Sequence, residues 1–183
     1  MTRYPMPLGR GQFLAPGEAC AVMGVLNVTP DSFSDGGRLS GVDAVVACAR
    51  QMRDAGAVIL DVGGESTRPG ADPVGIDEEL RRVVPVVHAL VDRVGLPVSV
   101  DTRKRAVFEE AWEAGASMLN DVSALTYDPE LAPFVSEIDA AVVLMHMRGD
   151  PRTMDDQTTY DDCVAGVREE LRELRRGGRG LRP

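Results

Sequence analysis

Met23-Gly-Val-Leu-Asn-Val-Thr-Pro-Asp-Ser-Phe-Ser-Asp-Gly-Gly37 runs from a short apolar stretch straight into a polar loop that ends in two glycines. Met23 to Leu26 is partly β-branched and suits a strand covered on both faces, as in a parallel sheet. Asn27, Thr29, Asp31, Ser32, Ser34 and Asp35 then crowd oxygen ligands and hydrogen-bonding groups at its carboxyl end. A solvated turn needs only a few such residues; this density suits the start of a catalytic loop.

The same rhythm continues along the chain. Apolar runs recur near 21–26, 57–62, 96–100, 116–119 and 140–145, and segments of helical periodicity separate most of them, which predicts successive parallel β/α units. Val42, Val45, Val46, Ala49 and Met52 keep helical spacing, with Ser40 as a candidate N-cap and Gly56 just past the end. Ile76, Leu80, Val83, Val84, Val87, Leu90, Val91 and Val94 form a cleaner stripe, bent at Pro85. Residues 103–114 read as a short helix, and Val164, Val167, Leu171 and Leu174 mark a last one. No linker or internal repeat beyond this rhythm interrupts the chain, so residues 1–183 read as a single domain.

Composition narrows the function. The 183 residues are 44% hydrophobic with few aromatics, as an aliphatic α/β core requires. A formal net charge of −9, with Lys104 the only lysine, argues against a phosphate-tracking surface and so against non-specific nucleic-acid binding. No apolar run approaches the roughly 20 residues needed to span a bilayer, and residues 1–17 lack a signal-peptide apolar core; the expected location is cytoplasmic. Cys20, Cys48 and Cys163 have no metal-type spacing and read as reduced thiols, buried or half-buried.

Every polar cluster falls at the carboxyl end of a predicted strand. Asn27 ends the first, Asp61 to Arg68 follow the second, Asp101 ends the third, Asn120 and Asp121 the fourth, and Met145 and His146 the fifth. Five such ends in succession point to one shared pocket, because β/α barrels assemble their sites there. Asn27 offers a hard carbonyl oxygen to a cation such as Mg²⁺, or else bonds its own loop. Asp31 and Asp35 either assist a metal or loop closure, or are solvated turn carboxylates. Arg68 presents a guanidinium suited to a diphosphate, the alternative being a surface ion pair with Glu65. Asp61 and Glu65 read as loop organisers. Asp101 and Asn120 form the best recognition pair, a carboxylate and an amide able to read a heterocycle edge-on, while Val122 and Met145 supply apolar walls or core packing. His146 titrates near neutrality, but the sequence names no proton partner, so a structural or pocket-lining role is expected. His88 reads as a surface histidine. Asp155, Asp156, Asp161 and Asp162 suit the start of a helix.

These segments resemble the dihydropteroate synthases. Residues 23–37 are similar to that family's first signature, Leu60-Asp-Val-Gly-Gly-Glu-Ser-Thr-Arg-Pro-Gly70 to its second, and Ser99-Val-Asp-Thr102, Asn120-Asp-Val-Ser123 and Leu144-Met-His-Met147 to its next three strand ends. The match runs from about residue 20 to 175. The resemblance implies an α/β fold of the TIM-type (β/α)₈ barrel, of which about the first five units are present. It implies condensation of 6-hydroxymethyl-7,8-dihydropterin diphosphate with p-aminobenzoate to 7,8-dihydropteroate and pyrophosphate. It assigns Mg²⁺ to Asn27, catalytic roles to Arg68 and Asp101, and substrate contacts to Thr67, Asp101, Asn120, Val122, Met145, Phe33 and Pro69. A homodimer is the family's state, with contacts expected largely on later helices.

The family's sixth-strand Asp-Pro-Gly, seventh-strand Ser-Arg-Lys and eighth-strand Arg-x-His segments are not found in this sequence, and residues 177–183 read as an irregular tail. The expectation is therefore a truncated barrel with open sheet edges. Two other readings follow: a pterin-binding module without turnover, and a related barrel that transfers a methyl group from a methylated folate, which the Ser66-Thr-Arg-Pro-Gly70 loop disfavours.

Overall fold

The structure is a computed structural model and describes residues 5–14, 20–28, 41–66, 72–149 and 153–177, the side chains of Asp155 and of residues 175–177 excepted. Among these residues seven strands, five α-helices and one 3₁₀ turn follow in the order β1 (Met6–Gly9), β2 (Gln12–Leu14), β3 (Val22–Asn27), α1 (Gly41–Asp54), β4 (Ala57–Gly63), α2 (Ile76–Arg93), β5 (Val98–Asp101), α3 (Arg105–Glu113), β6 (Met118–Asp121), α4 (Leu131–Glu137), β7 (Ala141–Leu144), the 3₁₀ turn Met154–Gln157 and α5 (Cys163–Gly177). β3 to β7 form one parallel sheet in sequence order, so each strand pairs with the next across a crossover, as a growing β/α barrel requires. All five predicted strands are present within two residues of the expected ends.

Side chains alternate across this sheet and divide it into two unlike faces. Leu26, Leu60, Val62, Val98, Val100 and Leu119 point outward and pack with Val45 and Ala49 of α1, Val83, Val87 and Leu90 of α2 and Phe108 of α3 into the main core. Phe108 meets Trp112 and Phe134 at ring-centroid distances of 6.1 and 6.3 Å, tying α3 to α4. The opposite face is polar toward its carboxyl end. At its amino end a second, smaller cluster of Leu8, Ile59 and Met118 forms where the antiparallel β1–β2 hairpin packs beneath the sheet.

That hairpin is absent from the sequence reading. Gly9 has φ +80, and a Cβ there would stand 2.0 Å from the Ser117 carbonyl oxygen, so only glycine permits this approach. Arg10 stacks over Trp112 at 4.1 Å and donates through Nε to the Ala116 carbonyl at 2.8 Å, fastening the turn to the end of α3. α4 is likewise unanticipated, being only seven residues long.

Smaller expectations change as well. Ile76 and Val164, placed on apolar stripes by spacing, are exposed, because each opens its helix beyond the reach of the core. Cys20 and Cys163 are exposed rather than buried or half-buried, since neither segment packs beneath another element; Cys48 is half-buried, and all three thiols are free. Pro85 lies within a continuous α2. Ser40 falls outside the described residues. Among the described residues no helix is long and apolar enough to cross a membrane.

Candidate active site

Strand register builds the site. Asn27 pairs with Gly63, Gly63 with Asp101, and Asp101 with Asn120, so four strands end in one level row on the inner face. Gly63 lacks a side chain in the middle of that row. A Cβ there would lie 3.6 Å from Asn27 Oδ1 and 3.7 Å from Asp101 Oδ2, so the missing side chain leaves a cleft flanked by an amide oxygen and a carboxylate. Val25, paired with Asp61 in register, is 54% exposed, and Val143 and Met145 expose about two-fifths of their surface on β7 and just beyond it. The inner face is thus a polar row with apolar walls. Met145 stands at the wall, whereas Val122 is buried beside the β6 end.

One level below the row, Asp61 accepts a hydrogen bond from Asn120 Nδ2 at 3.0 Å. Asp61 is only 4% exposed, and among the described residues its Oδ1, like Asp101 Oδ1 and the Ser99 hydroxyl, has no hydrogen-bond partner of good geometry. Unpaired buried oxygens are costly to keep, which marks them as places for a ligand's donors. Burial raises the Asp61 carboxyl above its ordinary value, although the nearby Ser99 hydroxyl and then the Asn120 bond oppose this. Burial, with repulsion from Asp61, Asp121 and Glu79, lifts Asp101 to about 7. A carboxyl poised there can either accept or donate near neutrality.

Neighbouring residues that look alike in sequence separate here. Asp121, next to Asn120, turns to the helix side and accepts from Ser123 N, Ser123 Oγ and Leu125 N at 2.7 to 2.8 Å. It shapes the β6–α4 turn, in which Ala124 and Leu125 take positive φ. Glu65 also organises structure, as expected, but through partners the sequence did not reveal. It ion-pairs with Arg103 and with Lys104, and Lys104 is itself buried against Glu79 of α2. The Glu65 carboxylate further accepts from Val74 N at 3.3 Å, and Arg82 holds the Gly64 carbonyl at 2.9 Å. Burial would raise Glu65, yet Lys104 and Arg103 pull it below its usual value, and Lys104 is raised because the two carboxylates outweigh its burial.

The one signal for this network was positional: Glu79 lies four residues before Val83 and eight before Val87, on the buried stripe, where a lone carboxylate needs a cation. Lys104, the only lysine, supplies it.

His146 gains the proton partner that the sequence withheld. Its Nε2 lies 2.7 Å from Glu170 Oε2 on α5, and Arg148 grips the same carboxylate while stacking over Tyr160 at 3.7 Å. Arg148 first, then His146, holds Glu170 down at about 2. This cluster docks α5. His88 is exposed and pairs with Asp92 at 3.2 Å. Asp162 caps α5 by accepting from Ala165 N, as the acidic cluster predicted. Phe33, Thr67, Arg68 and Pro69, with Asp31 and Asp35, lie outside the described residues.

Five parallel β/α units with a polar row at the carboxyl ends of their strands define an enzyme-type site of the β/α-barrel class. Residues 23–177 match the family model described as "Pterin binding enzyme", and the chain belongs to that family. It is 43% identical over 167 residues to a dihydropteroate synthase of Synechocystis sp., covering 91% of this chain and 58% of that protein. A crystal structure of Yersinia pestis dihydropteroate synthase with a sulfonamide drug complex superposes with a TM-score of 0.85 at 41% identity, covering 97% of this chain and 65% of that one. The Xanthomonas albilineans dihydropteroate synthase with 4-aminobenzoic acid gives 0.83 at 45% identity, over 96% of this chain and 61% of that one. The chain thus spans about three-fifths of the length of these relatives.

Proposed function

We propose that this chain carries the pterin-reading part of a dihydropteroate synthase site, and that the reaction is condensation of 6-hydroxymethyl-7,8-dihydropterin diphosphate with p-aminobenzoate. The carrying observation is the Asp101–Asn120 pair, adjacent in register, with a buried oxygen on Asp101 that has no partner among the described residues. A reduced pterin offers ring and exocyclic N–H donors beside acceptors, which a carboxyl and a primary amide match edge-on. In the reaction the amine nitrogen forms a bond to the pterin methylene carbon, the carbon–oxygen bond to diphosphate breaks, and the amine releases a proton. No enzyme nucleophile is required.

Asn27 fits Mg²⁺ by the chemistry of its donors. Among the described residues no cluster of three acidic, histidine or cysteine side chains forms a cage. One amide oxygen beside the Gly63 cleft leaves most of a coordination sphere to water and diphosphate oxygens, as Mg²⁺ prefers. The cation, when bound, would neutralise charge on the leaving diphosphate. Thr67 and Arg68 belong to the same reading as diphosphate partners, Arg68 also with Phe33 and Pro69 as walls of the amine site, and Val122 and Met145 as walls of the pterin site. A cytoplasmic location completes it.

A second reading, pterin binding without turnover, draws support from the sheet: among the described residues β3 and β7 each have only one strand neighbour. The deciding experiment is p-aminobenzoate-dependent pyrophosphate release by the purified chain with Mg²⁺, set against Asp101→Ala. Turnover abolished by that substitution supports the synthase. Tight pterin binding without turnover supports the binding module, and neither by a folded chain overturns both.

A further inference from the structure

Asp61 has no packing reason to be acidic. Its strand neighbours Leu60 and Val62 are fully buried and apolar, and a carboxylate at 4% exposure with one oxygen unpaired among the described residues weakens the fold. It accepts from Asn120, with the Ser99 hydroxyl close by, and the Asn120 contact has a direction. An ionised carboxylate can only accept, so the amide must turn Nδ2 toward Asp61. That leaves Asn120 Oδ1 and its second N–H for the ligand, in a fixed left-to-right order. A free amide could present the mirror order by flipping about its last torsion, at little cost.

We propose that Asp61 is a specificity-determining positioning residue, whose carboxylate locks the Asn120 amide so that the site selects an amino-pyrimidine edge over its oxo counterpart. This rests on the pterin reading above for the ligand's class. An amino group beside an unprotonated ring nitrogen reverses its donor and acceptor when the amino becomes a carbonyl and the nitrogen carries a proton, and a locked amide tells the two apart. Ser99, paired with Asp61 in register, can donate its hydroxyl to the same carboxylate, and Asp101 lies diagonally across the row.

The test has a ligand-free arm and a ligand arm. In the first, the ¹⁵N-labelled chain is compared with Asp61→Asn and the smaller Asp61→Ser, the Asn120 side-chain NH₂ signals being assigned by their loss in Asn120→Ser. One of the two protons is expected downfield and slow to exchange in the parent, and ordinary in both Asp61 variants. In the second, calorimetry measures 6-hydroxymethylpterin against 6-hydroxymethyllumazine. The parent is expected to prefer the pterin, and the ratio of affinities to fall about tenfold in Asp61→Asn, the worth of one mispaired hydrogen bond. Unchanged Asn120 signals, or an equal loss of both ligands with the ratio kept, would overturn the assignment. If the parent binds neither ligand, the pterin reading fails, while the NMR arm still decides whether Asp61 holds Asn120.

Discussion

At the scale of single residues, Asp101 sets function against stability. Its native pKa of about 7 stands well above the ordinary carboxylate value of 3.8, so the folded chain holds a proton that the unfolded chain has released. Stability must therefore fall as pH rises from about 4 to about 7. The gap sets a ceiling of about 4 kcal/mol, and partial solvent contact reduces it to roughly 2 kcal/mol. Asp101→Asn is expected to be the more stable protein at pH 8 by that amount and to match the parent near pH 4.5, as read by urea denaturation at both values. Glu65 runs the other way, since its lowered pKa contributes stability that is lost as pH falls through the acid range, below the Asp101 window. The same residue scale exposes what sequence cannot resolve. Asn120 and Asp121 are adjacent and both polar, yet strand alternation sends one to the ligand face and the other into a turn.

At the scale of elements, two attachments carry the site and neither is repetitive in sequence. The buried Lys104 bridges the end of β4, through Glu65, to α2, through Glu79. Lys104→Met would leave the buried Glu79 carboxylate without a cation, while Glu65 keeps Arg103, and is expected to cost about 3 kcal/mol, measurable as a lowered urea midpoint. Lys104→Arg should recover part of it. The β1–β2 hairpin hangs on Gly9, and Gly9→Ala forces a methyl group into the Ser117 carbonyl. The expected loss is about 2 kcal/mol, with new amide exchange confined to residues 6–14. The five parallel strands were legible because their apolar runs are long and regularly spaced. The hairpin and α4 were not, because three or four extended residues and a seven-residue helix carry too little periodicity to stand out. The Glu65–Lys104–Glu79 network escaped for another reason: its members lie 14 to 39 positions apart and meet only through packing.

At the scale of the whole molecule, the sheet displays one finished face and one unfinished one. Helices cover the outside, while the inner face exposes Val25 and Val143, and β3 and β7 offer unpaired edges among the described residues. Such surfaces attract other chains. The isolated 183-residue chain is expected to self-associate with rising concentration in analytical ultracentrifugation. Val143→Lys, a charge on the edge strand, should weaken that association while far-UV circular dichroism stays unchanged. A barrel-type site was legible at this scale because every polar cluster followed a strand. Phe33, Thr67, Arg68 and Pro69 remain placed by sequence alone.

Trp112 is the only tryptophan in the chain, and the Arg10 guanidinium lies against its ring. The protein therefore carries an intrinsic optical gauge of its own closed end. A cation stacked on an indole alters its emission, so release of the hairpin would register as a change in fluorescence at 295 nm excitation, without any added label. Such a signal would distinguish loosening at the base from events at the strand mouths, on the opposite side of the sheet's length.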